Sequence, residues 1–404
     1  MAHIRQRLIQ PLFKKVIGFS PIVGLLGHRQ VGKTTFLESN ISNYVTFDSF
    51  KTITKAREDS EGFIESFKGK QVAIDECQYV ASLFPALKEF VRKNKKPGQF
   101  ILSGSVRFTS KKSIRESLTG RILNLELLPM SVSELRNREL PTTALSLLTT
   151  RSAEKYCLGN QKYISDCLKL KPYVEQYATH GGLPGVCFVR DPALRNSKIK
   201  DQLTSIIDRD LRLIYETKVP YIQIFEFLRY LASNEGHPLN YSKIERVCKI
   251  SEEVQKNLIF ALESVFVLRQ IPVEGRSTHP LLYFEDQAEM NFLSDSNLSQ
   301  LQINEGILFR NIRLQFSYTA GQEVRYFHYL TRGGARVPLA IQSKEGTVGM
   351  LCIESDLPNK SEKQIAASFL KNYADSMVVF ISSRSRHFEP VDNRSLIAPI
   401  ELFL

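Results

Sequence analysis

One loop constrains the fold of this chain more than any other feature. An apolar run, Ile22–Leu26, leads directly into Gly27-His-Arg-Gln-Val-Gly32-Lys33-Thr34-Thr35, which has the spacing G-x-x-x-x-G-K-T. A glycine-rich loop between a buried strand and a helix directs backbone N–H groups at phosphate oxygens, and the amino end of the helix adds a favourable dipole. The alternative is a chance match in a glycine-containing turn, but both the strand before the loop and the helix-compatible residues after it favour a real site. The pattern therefore predicts nucleotide contacts from Gly27, Gln30, Gly32, Lys33, Thr34 and Thr35.

A second motif supplies the carboxylates that such a loop needs. The apolar run 71–74 ends in Asp75 and Glu76. Lys33 suits the β- and γ-phosphates of ATP, and Thr34 and Asp75 suit Mg²⁺. Glu76 is then the candidate that polarises the attacking water. An Asp-Glu pair alone is common in solvated loops, and its position downstream of a phosphate-binding loop is what favours the functional interpretation.

Two further residues complete the candidate catalytic set. Ser103 follows the apolar run 100–102, where a polar side chain would sense the γ-phosphate if ligands bind at the carboxyl ends of the strands. Arg121 follows Gly120, and it is a candidate for stabilising charge on the transferred phosphoryl group, in its own chain or from a neighbouring subunit. The structural alternatives are a turn hydroxyl for Ser103 and a surface or salt-bridge arginine for Arg121.

Length and composition indicate a multidomain globular protein. A chain of 404 residues exceeds one ordinary core, so two or three domains are expected. We find no apolar run of the roughly 18 to 20 residues that would span a bilayer, and no membrane partner is expected. The six cysteines form no CxxC pair, which predicts neither a zinc site nor a disulfide framework and fits a cytoplasmic location. The net charge of +12 favours acidic partners, including nucleic acid.

Periodicity divides the chain into three parts. Residues 1–141 alternate apolar runs with amphipathic stretches, which predicts an α/β domain with a largely parallel sheet. The basic segment 1–19 resembles a transit peptide, but it runs straight into the first strand and is interpreted as a helix of this domain. Residues 142–276 are predicted to be helical and to end in a helix-turn-helix unit with a wing, and residues 277–404 are predicted to form a further α/β domain. The predicted strands of the first domain are 21–26, 44–47, 71–74, 100–102 and 122–127.

These motifs resemble those of the prokaryotic predicted ATPases of the AAA_14 type, which are usually fused to a DUF4143 region. The matching pieces are Gly27–Thr35, Ile74–Gln78, Phe100–Ser105, Ser117–Arg121 and Leu128–Glu134, followed by Tyr177–Pro184, Ile207–Leu211 and Leu262–Leu268. The resemblance implies an AAA+-like core in which Lys33 and Thr34 bind nucleotide, Asp75 binds Mg²⁺, Glu76 is catalytic and Ser103 lies near the position called sensor 1. It also implies an arginine finger, for which Arg121 and Arg209 are the candidates.

The family's C-terminal region resembles a restriction-endonuclease-like fold, and its motif is eroded here. Glu305 is the candidate early acid, but Arg336 replaces an acid and Pro338 replaces the metal-binding aspartate. Glu354 is retained, whereas Asp356 stands where a lysine belongs. Because metal-dependent cleavage needs converging carboxylates and a cation, we predict a domain without nuclease activity.

Nucleic-acid binding receives mixed support from the residues. The second helix of the helix-turn-helix, 252–265, carries three glutamates against the single Lys256, so protein packing is at least as plausible as a role in a DNA groove. The densest basic cluster lies in loop 93–115 and is either a phosphate-backbone track or a solvated loop. Its members are Lys93, Lys95, Lys96, Arg107, Lys111, Lys112 and Arg115.

The leading hypothesis is an oligomeric, Mg²⁺-dependent, ATP-hydrolysing AAA+-like switch or motor that also binds the product ADP. The alternative is a scaffold or regulatory protein that nucleotide holds together with little hydrolysis.

Overall fold

The computed structural model describes residues 5–110, 112–275, 279–294 and 298–404, without the side chains of residues 112, 113 and 115. The first part of the chain alternates helices with short strands. Its elements are α1 (Gln10–Ile17), β1 (Ile22–Leu26), α2 (Lys33–Asn40), β2 (Tyr44–Thr46), α3 (Phe50–Glu58), α4 (Ser60–Glu65), β3 (Val72–Asp75), α5 (Leu83–Lys93), β4 (Phe100–Gly104), α6 (Lys112–Leu118) and β5 (Ile122–Glu126).

These five strands form one parallel sheet in the order β2-β3-β4-β1-β5. Strands β1, β3 and β4 are buried along their whole length, as expected for a parallel sheet that helices cover on both faces. The predicted α/β class and parallel sheet are confirmed, with strand ends shifted by a residue or two. Since β4 lies between β1 and β3, the carboxyl ends of these three strands meet at one edge.

The middle of the chain is helical, as its periodicity predicts. It contains α7 (Val132–Leu135), α8 (Thr143–Thr149), α9 (Ala153–Cys167), α10 (Lys171–His180), α11 (Pro184–Cys187), α12 (Pro192–Ser205), α13 (Tyr221–Ser233), α14 (Tyr241–Cys248) and α15 (Glu252–Ser264). A π-helical turn, Ile206–Asp210, continues α12. After α15, strand β6 (Leu268–Ile271) pairs antiparallel with β8 (Leu281–Phe284) in a two-stranded ribbon. The proposed domain boundary at 276 falls outside the described residues.

The last part of the chain builds a mixed seven-stranded sheet. Its strands are β7 (Val273–Gly275), β9 (Arg325–Leu330), β10 (Arg336–Gln342), β11 (Thr347–Ile353), β12 (Ser376–Ser382), β13 (Glu389–Pro390) and β14 (Ser395–Pro399), and its helices are α16 (Gln287–Leu293), α17 (Gln300–Tyr318) and α18 (Lys360–Asn372). The order is β13-β14-β12-β11-β10-β9-β7, in which β9, β10 and β11 are antiparallel and β12 is parallel to β11. Among the described residues, no helix is both long and apolar enough to cross a bilayer.

A partly buried charge cluster joins the three parts of the chain. Glu126, at the end of β5, pairs with Arg107 at 3.0 Å, with Arg269 of β6 at 2.7 Å and with Arg313 of α17. Glu285 pairs with Arg269 at 3.3 Å and with Arg313. Burial opposes the charge of Glu126, but the three guanidinium groups outweigh it and hold the pKa of Glu126 well below its usual value. These ion pairs therefore connect side chains from all three parts of the chain.

Candidate nucleotide site

The glycine-rich loop adopts the conformation that its glycines permit. Gly32 is the N-cap of α2 and has φ +96°. A residue with a side chain would be strained in this left-handed backbone conformation. Gly27 is packed so closely that a Cβ atom would lie 2.3 Å from the carbonyl oxygen of Leu127. The strand–loop–helix arrangement required for phosphate binding is therefore present at the carboxyl edge of the parallel sheet.

Lys33 lies buried inside this loop, where 6% of the residue is exposed. Its Nζ donates to the carbonyl oxygens of Gly27 at 2.9 Å and His28 at 3.0 Å. Burial lowers the pKa of Lys33, and the carboxylates of Glu76 and Asp75 oppose that shift. The ammonium group thus donates to backbone carbonyl oxygens, and a phosphate oxygen would replace them as the acceptor.

Asp75 is the point at which three strands and the loop meet. It is 1% exposed. It accepts hydrogen bonds from Thr34 Oγ1 and Tyr44 OH, both at 2.7 Å, from the Ser103 hydroxyl, and from the backbone N–H of Glu76 at 3.0 Å. A carboxylate beside a threonine hydroxyl is the hard oxygen set that Mg²⁺ takes from proteins when phosphates and water complete its shell. These residues fit Mg²⁺.

Glu76 follows Asp75 with φ +55°, in the left-handed region that non-glycine residues seldom occupy. Gln78 donates from Nε2 to the Glu76 carboxylate and lies 3.3 Å from Ser105 Oγ. Burial raises the pKa of Glu76, and repulsion from Asp75 adds to this while Lys33 opposes it. A carboxylate with a raised pKa is better suited to accept a proton near neutral pH.

The two arginine candidates lie in different places. Arg121 precedes β5, and β1 and β5 are parallel with Ile22 opposite Ile122, so Arg121 lies at the amino edge of the sheet. That edge is roughly 16 Å, five residues of strand, from the loop. The structure therefore contradicts a role for Arg121 within its own chain. Arg209 lies nearer the site, with its guanidinium 4.5 Å from the Tyr79 ring centre and 3.7 Å from Asp48.

A pocket of about 800 Å³ opens beside the loop, within the roughly 300–1,000 Å³ range of ligand sites. Gln30, Gly32, Lys33, Thr34 and Thr35 line one side together with Glu76. The other side is formed by residues from outside the sheet: Arg5, Gln6, Arg7, Gln10, Met130, Pro184, Gly185, Phe188, Val189 and Lys198.

Arg7 lines the pocket and also holds the loop by hydrogen bonds, although its sequence context suggested only a basic helix. It precedes α1 and is buried, where it donates to the carbonyl oxygens of Val31 at 2.8 Å and Leu128 at 2.5 Å. Its Nε lies 3.0 Å from Glu134, which is fully buried. This contact gives a structural reason for the Leu128–Glu134 motif.

The Gly181-Gly-Leu-Pro184 turn forms another wall of the pocket. The carboxylate of Asp286 accepts the N–H groups of Gly182 at 2.7 Å and Leu183 at 3.1 Å. A Cβ on Gly182 would lie 2.1 Å from the carbonyl oxygen of Met130, so only glycine fits there. Pro184 Cγ would lie 3.7 Å from a Cβ on Gly32, which places this turn directly against the phosphate loop. The sequence indicated a turn at these residues, but it did not indicate that the turn packs against the phosphate loop.

Side chains of the loop also contact the middle and the last part of the chain. His28 Nε2 lies 3.1 Å from Glu289 of α16, and Arg29 NH1 lies 3.3 and 3.4 Å from the carboxylate oxygens of Asp210. Burial disfavours the charged imidazole, but Glu289 outweighs it and raises the pKa of His28. Gln202 Nε2 donates to Glu289 at 3.1 Å. The loop is thus held by elements far away in sequence.

The eroded nuclease motif contains an ion pair. Arg336 donates to both carboxylate oxygens of Glu305, at 2.8 and 2.6 Å, and to the carbonyl oxygen of Gly236 at 3.2 Å. The carbonyl of Pro338 lies 3.1 Å from His328 Nδ1. Glu354 is exposed after β11. In the described part of the chain, no group of three or more His, Cys, Asp or Glu side chains could hold a metal ion.

The basic loop 93–115 does not form one surface among its described members. Lys95 and Lys96 precede β4 at the amino edge of the sheet, whereas Arg107 follows β4 and pairs with Glu126 in the partly buried charge cluster. Lys93 pairs with Glu89 at 3.2 Å. Lys111 and the side chains of Lys112 and Arg115 lie outside the described residues. The described members therefore give no support to a continuous phosphate-binding track through Arg107.

Helix α15 carries little positive charge on its exposed side. Its single lysine, Lys256, lies 2.7 Å from Glu252 of the same helix. Leu258 and Leu262 are buried as predicted, and Gln255 Nε2 is buried in hydrogen bonds to Tyr241 and Ile250 carbonyls. These contacts favour packing against protein.

The sheet, the loop and the carboxylate pair have the arrangement of a P-loop core. Residues 19–136 match the family model AAA_14, described as an AAA domain. Residues 171–286 match a domain of unknown function, DUF8612, and not the DUF4143 region that the motifs suggested, so that part of the resemblance is corrected.

The chain is also similar to uncharacterized proteins of other organisms. It is 23% identical over 270 residues to Rv2008c of Mycobacterium tuberculosis, covering 66% of this chain and 53% of that protein, so the match spans about half of the relative's length. It is 24% identical to MJ1544 of Methanocaldococcus jannaschii, covering 85% of this chain and 77% of that protein. A solved structure, the signal transduction ATPase PH0952 of Pyrococcus horikoshii with a tetratricopeptide repeat sensor, aligns with a TM-score of 0.27 and 12% identity over 78% of this chain and 48% of that one.

Proposed function

We propose that this protein is an ATP-binding, Mg²⁺-dependent ATPase that acts as a switch or motor. The observation that carries the proposal is the 2.7 Å contact between Thr34 Oγ1 and Asp75 Oδ2, which joins the phosphate loop to the carboxyl end of β3. Lys33 would bind the β- and γ-phosphates, and Thr34 and Asp75 would hold Mg²⁺. The bound ion would neutralise phosphate charge and orient the terminal phosphoryl group.

The remaining residues supply the hydrolytic step in this proposal. Glu76 accepts a proton from the attacking water, and Gln78 orients its carboxylate by a hydrogen bond. Ser103 and Tyr44 hold Asp75 in place through their hydroxyl groups. The burial of Asp75 and Lys33 lets these charges act in a site with little water, where electrostatic contacts are stronger.

Two substitutions test binding and hydrolysis separately. Lys33→Ala should abolish binding of a fluorescent ATP analogue, since it removes the ammonium group that contacts phosphate. Glu76→Gln should leave binding intact and reduce phosphate release by roughly 100-fold or more. Arg92→Gln is a matched control, because Arg92 is an exposed surface residue paired with Glu89. Normal turnover in both site variants would refute the proposal.

A nucleotide-stabilised scaffold is the second candidate, favoured by the contacts of His28 with Glu289 and Arg29 with Asp210. In that case ATP should raise the thermal midpoint of wild type and Glu76→Gln equally, with little phosphate release from either.

Arg121 can serve only a neighbouring chain. Mixing Arg121→Ala subunits with Glu76→Gln subunits would restore turnover if the protein is an oligomer with shared sites. No restoration would remove Arg121 from the mechanism.

The C-terminal domain is proposed to be an endonuclease-like fold without nuclease activity. The order α17, β9, β10, β11, α18 and β12 supports the endonuclease-like fold. The Glu305–Arg336 ion pair supports the loss of nuclease activity, because the guanidinium group takes the place of a metal ion at the candidate early acid, Glu305. Purified protein should not cut DNA with Mg²⁺ or Mn²⁺. Cleavage that disappears in Glu354→Ala would overturn this. DNA binding by loop 93–115 has weak support, and salt-insensitive or absent binding would exclude it.

A further inference from the structure

The phosphate loop contains a second cation besides Lys33. Arg29 lines the same pocket as Lys33 and Glu76, and its side chain is 26% exposed. Asp210, its partner, is 1% exposed. The partner therefore lies in the protein interior, whereas the guanidinium group borders the space that the nucleotide would fill.

The contact between them is long. Arg29 NH1 lies 3.3 and 3.4 Å from the two Asp210 oxygens, whereas strong charge-assisted hydrogen bonds are about 2.7–2.9 Å. A phosphate group offers the planar fork of arginine a shorter, bidentate contact. A phosphate group would therefore form stronger hydrogen bonds with Arg29 than Asp210 does.

The position of Arg29 indicates which phosphate is concerned. Arg29 follows His28, whose carbonyl oxygen accepts a hydrogen bond from Lys33 Nζ at 3.0 Å. Arg29, Lys33 and Glu76 line the same pocket. Since Lys33 suits the β- and γ-phosphates and Glu76 is the candidate that activates water, Arg29 lies at the end of the site that would receive the terminal phosphoryl group.

We propose that Arg29 distinguishes ATP from ADP: it leaves Asp210 and contacts the terminal phosphoryl group, and Asp210 is the positioning residue that holds it while the site is empty. This inference rests on the proposed nucleotide binding. Asp210 ends the π-helical turn Ile206–Asp210, and such turns are frequent at functional sites. Departure of Arg29 leaves the buried Asp210 without its cation, so this turn must adjust, which couples the terminal phosphate to α12.

Affinities for ADP and for the non-hydrolysable analogue AMP-PNP, measured by calorimetry with Mg²⁺, test the assignment. Arg29→Gln should weaken AMP-PNP roughly tenfold or more, the value of a charge-assisted hydrogen bond, and change ADP affinity less than about twofold. Asp210→Asn should strengthen AMP-PNP, because it removes the competing carboxylate, and leave ADP within about twofold. Arg92→Gln, which removes a surface arginine paired with Glu89, should leave the ratio of the two affinities unchanged.

The opposite signs of the two variants exclude a merely structural role. If the pair only holds the fold, both variants should weaken ADP and AMP-PNP equally, and that outcome overturns the inference. Failure of wild type to bind either nucleotide would instead refute the proposed function. If Arg29→Gln does not fold, Asp210→Asn and Arg29→Lys carry the test, and an unchanged affinity ratio in both contradicts it.

Discussion

Arg7→Met should destabilise the protein more than any surface substitution. The Arg7 side chain is 6% exposed and that of Glu134 is 0% exposed. The substitution removes the cation and leaves a buried carboxylate, while the carbonyls of Val31 and Leu128 lose their donor. Breaking a buried pair by removing one partner costs about 3–5 kcal/mol.

The carboxylate of Glu134 keeps part of its environment after this change. It still accepts the N–H groups of Leu8 at 2.7 Å and Ser131 at 3.0 Å, so we expect a loss near 3 kcal/mol, the lower end of the range. Urea unfolding followed by circular dichroism measures the loss. Nucleotide affinity should fall as well, because Val31 belongs to the phosphate loop.

A double variant separates the charge from the packing. Arg7→Met with Glu134→Gln should recover part of the loss relative to Arg7→Met alone, because the double variant has no stranded charge. The recovery is incomplete because Leu8 and Ser131 donate to different carboxylate oxygens, and the single oxygen of a glutamine replaces only one of them. Lys14→Met, an exposed lysine of α1, is the control and should change stability by less than about 0.5 kcal/mol. A loss below about 1 kcal/mol for Arg7→Met, or no recovery in the double variant, would refute the reasoning.

Three further predictions follow from buried ionisable groups. Arg336→Met should cost about 3 kcal/mol in urea unfolding by leaving Glu305 unpaired, with recovery in the double variant that adds Glu305→Gln; an equal cost in both would contradict it. ATP turnover should fall on acidification at a higher pH than an ordinary glutamate gives, because burial raises the pKa of Glu76; an acid limb at the ordinary value would contradict it. Burial lowers the pKa of His328 to about 4, so the unfolded state binds more protons at this residue between pH 6.5 and 4, and His328 should contribute a loss of about 3 kcal/mol as the pH falls across that window. His328→Asn should reduce the fall in stability by about this amount relative to wild type, whereas substituting the exposed His387 should not; an unchanged pH dependence in His328→Asn would refute the assignment.

The phosphate loop and the carboxylate pair could be predicted from the sequence because their information is local. Glycine spacing fixes the turn of Gly27–Thr34, and an apolar run that ends in Asp75 and Glu76 indicates a strand with carboxylates at its end. The five strands of the first sheet were also predicted within a residue or two, since alternation of apolar runs with amphipathic stretches reports local structure directly. Their parallel arrangement follows from the long crossovers between them.

Contacts between distant segments could not be predicted in this way. Arg7 lies 127 residues from Glu134, and Gly182 lies 104 residues from Asp286. An arginine before a helix or an aspartate after a strand carries no local sign of its partner. Tyr44 is an ordinary strand residue in the sequence, and only the position of β2 beside β3 brings its hydroxyl to Asp75.

The arginines show the same division most clearly. The sequence alone determined that this chain carries a G-x-x-x-x-G-K-T loop between a strand and a helix, with candidates for Mg²⁺ binding and water activation, because those residue types and spacings suffice for the geometry. Only the tertiary structure decided that Arg121 lies at the far edge of the sheet, that Arg107 pairs with Glu126 and that Arg29 borders the pocket beside the loop. The physical reason is that the use of a positive charge depends on which carboxylate the fold brings beside it.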